Sequence, residues 1–253
     1  NSYATDPTNI NNVFRFSRAW YSELERRNSD PSYEKWRVNP ADNRYEYFGN
    51  TNWYNIFYKD YTTGHQHNLS ITGGTDKASY YVSGRFFHQD GIYNAGDERY
   101  NQYNVLAKGT VQATKWLRVE NTTSFMSRYS HQPTLTTGGQ SFTVTPTRMM
   151  NHQGFPMTLE KNPDGTWTDA AVYIGWAGFV EGNTWRDDDK FDLNNKTKFT
   201  LDFIKDVLVG EIDVSYYRNH TERHMLAVPY TYYTGPESSG ERPATSWYEE
   251  RYY

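Results

Sequence analysis

The residues of this chain best suited to chemistry are its seven histidines and its clustered carboxylates, and their spacing limits what they could do. His65-Gln66-His67 places two imidazoles on one face of a strand, while His220 and His224 stand four residues apart. A zinc site needs three or four convergent ligands. Neither pair has an evident third ligand, and His220 and His224 fall where a period of two governs. The expectation is solvated histidines at loop ends and no bound metal. Asp187-Asp188-Asp189 offers oxygen ligands for calcium but lacks the glycine-punctuated spacing of a calcium loop, and acidic runs are ordinarily solvated. No Ser-His-Asp order, nucleophile elbow or phosphate-cradling glycine loop is present. Glu98, Glu120, Glu160 and Glu181 could supply the two carboxylates of a glycoside hydrolase, yet nothing singles out a pair. No catalytic or cofactor-binding residue is assigned, and no cofactor is implied.

The aromatic residues carry more. Phe155, Trp167, Tyr173, Trp176, Phe179 and Trp185 alternate with polar residues in a stretch that reads as one long loop, 130–190. Exposed rings stack on sugars or pack on peptides, and long loops often carry function. Trp167, Tyr173, Trp176 and Trp185 are the candidate substrate-binding residues. The competing expectation is that these rings pack the loop itself or a partner protein.

The elements that must position them are strands. Trp, Tyr and Phe make up 17% of the 253 residues, so the chain is folded, and its apolar content suits a pleated surface. A formal net charge of −4 gives nucleic acid no footing as a partner, and the absence of Cys excludes a disulfide framework. Val13, Phe16, Trp20 and Leu24 predict one short helix, capped by Asn11 or Asn12 and ended by Asp30-Pro31. Residues 28–64 show no sustained period, so 1–64 is expected to be a loop region with that helix.

From His65 onward the period is two. Strands are predicted at 65–73, 78–89, 100–112, 116–129, 191–204 and 207–219, with a weaker one at 224–233 that Pro229 interrupts. The intervening connections alternate short and long, as in transmembrane barrels with short periplasmic turns and longer external loops. A mean hydropathy of −0.94 is compatible with this, because only alternate residues of such strands face lipid. If Lys205-Asp206 is a two-residue turn, paired residue numbers sum to 411. Phe203, Leu201 and Phe199 then face Leu208, Gly210 and Ile212, and Lys198 meets Asp213. The chain opens on the polar stretch Asn1–Asn12 with no initiator Met or signal peptide and stops inside the strand-like run Trp247–Tyr253, so it is expected to be an internal piece of a longer protein, with 65–253 as barrel strands and their loops.

Residues 50–130 resemble a known family. The stretches that carry the likeness are Asn52-Trp53-Tyr54-Asn55-Ile56-Phe57, the run His67–Gly84, Gln89-Asp90-Gly91-Ile92, Arg99-Tyr100-Asn101 and Lys115–Val119. In this order and spacing they are similar to the SusC/RagA-type TonB-dependent outer-membrane transporters of Bacteroidota. Asn162-Pro163-Asp164-Gly165-Thr166 is a less distinctive shared feature. Asn52 and Asn55 depart from the acidic residues common around that tryptophan in the family. The resemblance implies an all-β fold: an antiparallel transmembrane β-barrel segment, about seven strands of a 22-stranded plugged barrel. It implies import of oligosaccharides or peptides across a Gram-negative outer membrane, without catalysis. The partners implied are a SusD-like surface lipoprotein, and a TonB complex acting through a part not in this sequence. Two alternatives are a secreted all-β glycan-binding module or glycoside hydrolase, and a porin-like channel without TonB coupling.

Overall fold

The computed structural model describes residues 16–135, 146–204, 207–242 and 247–252. The protein is mostly β, with few and short helices. Its contacts divide it into two units. One comprises Asn1–Tyr58, Thr134–Thr184 and Ala227–Thr245; the other comprises Lys59–Pro133, Trp185–Leu226 and Ser246–Tyr253.

The first unit holds the packed core. Its helix α1 spans Arg18–Ser29, and Ser17 caps it by accepting a hydrogen bond from Trp20 N at 3.2 Å. Val13 and the expected caps Asn11 and Asn12 lie outside the described residues. Residues 28–64 are not one loop. They form a hairpin of β1 (Trp36–Asn39) and β2 (Arg44–Tyr47), then helix α2 (Trp53–Phe57), which Asn52 caps through Asn55 N. The family-like Trp53 is buried, and its indole donates to Phe155 O and Thr158 Oγ1, both at 3.2 Å. Helices α3 (Pro146–Gln153), α4 (Asp169–Tyr173) and α5 (Trp176–Glu181) fold the expected long loop. Strands β9 (Tyr230–Gly235) and β10 (Ser238–Arg242) form a second hairpin, replacing the strand predicted at 224–233. Phe48, Phe57, Ile174 and Phe179 are fully buried here.

The second unit is a seven-stranded antiparallel sheet in the order β11-β8-β7-β6-β5-β4-β3. Its strands are β3 (Gly64–Thr75), β4 (Ala78–Asp90), β5 (Arg99–Gln112), β6 (Leu117–Pro133), β7 (Trp185–Ile204), β8 (Leu208–Leu226) and β11 (Trp247–Tyr252). It is open, with β3 and β11 as edges. The β7–β8 register keeps the sum of 411 from Trp185↔Leu226 to Asp202↔Val209. A bulge then replaces the expected Phe203–Leu208 pair with Ile204↔Leu208, and the turn Lys205-Asp206 itself is outside the described residues. Strand β7 begins six residues earlier than read from sequence, so the long connection shrinks to 134–184. Gly73 and Gly74 both keep ordinary strand dihedrals. They are glycines for room: a Cβ on Gly73 would stand 2.6 Å from the Tyr80 hydroxyl, and one on Gly74 2.6 Å from Ala78 O.

Pairing fixes which side chains share a face. On one face, successive rows run Leu69–Gly84–Val105–Phe125–Leu193, Ile71–Val82–Ala107–Thr123–Asn195–Tyr216 and Gly73–Tyr80–Gly109–Asn121–Thr197–Val214, then Thr75–Ala78–Val111–Val119–Phe199–Ile212. Arg218 at the end of the first row is the one charge among them. The opposite face carries Lys108, Glu120, Lys196, Lys198, Glu211 and Asp213 at the same heights, tied by Lys198–Glu211 at 2.6 Å and Lys196–Asp213 at 3.5 Å. Lys198 thus faces Asp213 in register but pairs diagonally. Among the described residues, every buried aliphatic or aromatic side chain except Pro133, at the end of β6, belongs to the first unit. The sheet's apolar face is bare: Leu69 is 72% exposed and Ile71 57%.

Candidate functional site

Three of the four predicted binding aromatics lie in the first unit, held by the turn Asn162–Thr166 and by α4 and α5. The turn closes because Gly165 takes a left-handed conformation (φ 85°) and Asn162 N donates to Thr166 O. Asn162 is buried and fully used. Its Nδ2 serves Thr166 Oγ1, Trp167 O and Tyr233 O at 2.9, 3.2 and 3.0 Å, while its Oδ1 accepts from the Tyr47 hydroxyl at 2.7 Å. One amide therefore ties both hairpins to the turn.

Trp167 is half-buried: its indole donates to Glu181 Oε1 at 2.6 Å, and the Lys161 ammonium sits 2.8 Å from its ring centroid. Burial holds that lysine below its ordinary pKa. Trp176 is buried, donates to Glu160 Oε1 at 2.7 Å and packs against Phe57. Both indoles thus spend their single donor on an acid, and their rings build the fold. Tyr173 is half-buried against Tyr232, with the hydroxyls 3.3 Å apart. That hydrogen bond, with burial, pushes the Tyr232 phenol up to about 12. Burial raises Tyr47 and Asp169 as well, and Asp169's charge adds to the shift at both Tyr47 and Tyr232.

Trp185 belongs to neither the loop nor this cluster. It opens β7 in the sheet unit, with ring centroids of His131 and His224 at 5.7 and 5.1 Å. There the histidines stand within strands rather than at loop ends, although His65, His67 and His224 are exposed as expected. His65, His67, His88, His131, His220 and His224 occupy three adjacent rows of one face, at the strand ends away from the short turns. One of those rows is a belt of rings broken by Ser127 of β6: His67, Phe86, Tyr103, Phe191, His220 and Tyr252.

Asp187-Asp188-Asp189 is part of β7, not a loop, and alternation divides it. Asp187 accepts from Tyr129 on one face and lies 2.6 Å from His131 Nδ1, whereas Asp188 pairs with Arg186 and Arg223 on the other. These three carboxylates cannot converge on one ion. His220, Glu222 and Glu250 do converge, with ligand atoms all within 4.8 Å of one another, the one such group among the described residues. Sequence reasoning missed the third ligand because it comes from β11, opposite Glu222 in register. Of the carboxylates considered for hydrolysis, Glu160 and Glu181 are occupied by indoles, Glu98 accepts from Ile92 N, and Glu120 pairs with Arg118.

Compared with models of known protein families and with curated proteins, the chain matches none.

Proposed function

We propose that the sheet is a section of the wall of an outer-membrane β-barrel that imports nutrient, and that the unit containing Thr134–Thr184 is its external loop assembly. One observation carries this reading. A seven-stranded sheet in which, among the described residues, Pro133 at the end of β6 is the one buried apolar side chain presents, over the four rows nearest the short turns, an apolar face with Arg218 as its single charge and an opposite face that is charged. In water a sheet must bury its apolar face against another layer, and exposed patches of this extent mark an interface. A bilayer supplies that layer. From Leu208 to Tyr216 the apolar face of β8 has about the length a tilted strand needs, 9–11 residues, to cross. The ring belt at His67, Phe86, Tyr103, Phe191 and Tyr252 suits the girdle at one interface. The free edges β3 and β11 leave room for further strands to close the barrel.

The likeness of residues 50–130 to SusC/RagA-type transporters supplies the rest of the proposal. The substrate is an oligosaccharide or peptide, a SusD-like surface lipoprotein is the partner, a TonB complex provides the energy, and the protein has no catalytic step of its own. The test is fractionation of cells that produce the full-length protein. Recovery in the outer membrane, release by detergent but not by alkaline carbonate, and uptake lost without TonB are the expected results. Recovery as a monodisperse protein in plain buffer would replace this reading with a secreted glycan-binding module or hydrolase.

A further inference from the structure

The first unit holds a small, partly open pocket, about 20 Å³, bordered by Val172, Gly178, Thr184, Tyr230 and Arg242. A space of this size holds one water-sized body. Its polar lining is only partly spent. Thr184 is 5% exposed; its hydroxyl and the buried hydroxyl of Tyr230 stand beside each other, and neither meets another hydrogen-bond partner. Arg242 is 7% exposed and uses only Nη1, which donates to Val172 O at 2.8 Å and Tyr173 O at 2.5 Å. Among the described residues no carboxylate pairs with this guanidinium. A buried charge without a counter-charge costs several kcal/mol, and each buried hydroxyl left unmade costs about 1–3 kcal/mol. Gly178 keeps the space open, since a Cβ there would stand 3.4 Å from both Thr184 Oγ1 and Tyr230 Cε2.

We propose that this cavity binds a single monatomic anion of the chloride class, held by the Arg242 guanidinium and the hydroxyls of Thr184 and Tyr230. The lining offers two hydroxyl donors beside one uncompensated positive charge, so it matches an acceptor that carries negative charge and no hydrogen. A polyatomic oxyanion or a carboxylate does not fit the volume. The proposal concerns the first unit alone and stands whether or not the sheet crosses a membrane.

The test is ³⁵Cl NMR line broadening on the purified full chain, titrated with chloride, alongside bromide-soaked crystals measured for anomalous scattering. The wild type should give saturable broadening and a bromide peak at the cavity. Gly178→Ala places a methyl at ordinary contact distance inside the cavity, so it should fold normally and weaken chloride at least about tenfold. Arg242→Gln should do the same where it folds; Gly178→Ala decides the matter where it does not. Absence of saturable broadening in the wild type, unchanged affinity in Gly178→Ala, or density at the cavity without a bromide signal, which would mean water, overturns the proposal.

Discussion

Asn162 shows how much one side chain can hold. Its amide makes four hydrogen bonds to partners on three separate stretches of chain. Asn162→Ala would leave the Tyr47 hydroxyl without its acceptor and take one donor each from Trp167 O and Tyr233 O, of which Trp167 O keeps Tyr233 N. A loss of about 2–3 kcal/mol in the stability of the first unit is expected, read by denaturant titration of Trp176 fluorescence; an unchanged midpoint would contradict it. Asp169 acts in the opposite direction. Burial raises its pKa in the folded state above the unfolded value of 3.8. The folded state therefore holds this proton more tightly, so the contribution is fully present below pH 3.8 and is lost as pH rises through the raised folded value. Asp169→Asn should remove that loss, making the variant more stable than wild type at neutral pH but not at pH 3. Parallel unfolding curves at both pH values would sink the idea. None of this was visible from residue type: Asn162 stood out only as part of a family-like turn, and Tyr47, Tyr232 and Arg242 carried no signal at all. Their roles arise from contacts between segments about 60 to 115 positions apart.

Elements were legible where one periodicity persisted long enough. The long strands and the 411 register could be read because the apolar set alternates with charge over most of each strand. The hairpins at 36–47 and 230–242 could not, since strands of four to six residues do not establish a period. The start of β7 was hidden for another reason. Trp185 to Lys190 is polar or aromatic on both faces, so alternation of hydropathy vanishes although the pleat continues. The two faces of the sheet make a direct prediction. Val82→Arg or Val214→Arg, on the bare apolar face, should destabilise by roughly 2–4 kcal/mol near a bilayer midplane, whereas Thr122→Arg or Ser215→Arg on the charged face should cost far less. The measurement is reversible folding into detergent or lipid, and equal costs on the two faces would count against a lipid-facing wall.

For the whole molecule, the short turns and the long connections leave the sheet at opposite strand ends. Thr75→Cys and Thr114→Cys, at the short turns, should resist an impermeant thiol reagent on intact cells, while Pro163→Cys in the exposed turn should react. Labelling of Thr114→Cys from outside would reverse the orientation. Lys205, expected beside them, is outside the described residues. Deleting 160–183 removes no strand of the sheet, so the outer-membrane fraction should still contain the protein. It does remove Trp176, Phe179 and the Asn162 anchor, so uptake and lipoprotein co-purification should fail; normal uptake would show that this unit is dispensable. The first unit is also threaded from three stretches of chain, with strands of the sheet between them. Tyr233 closes on Trp167, and Arg242 closes on the end of α4, only from the third stretch. During synthesis the aromatic segment 155–181 therefore emerges long before its last partners. Its rings wait exposed for that interval, which makes this segment, rather than any strand, the natural handle for a chaperone.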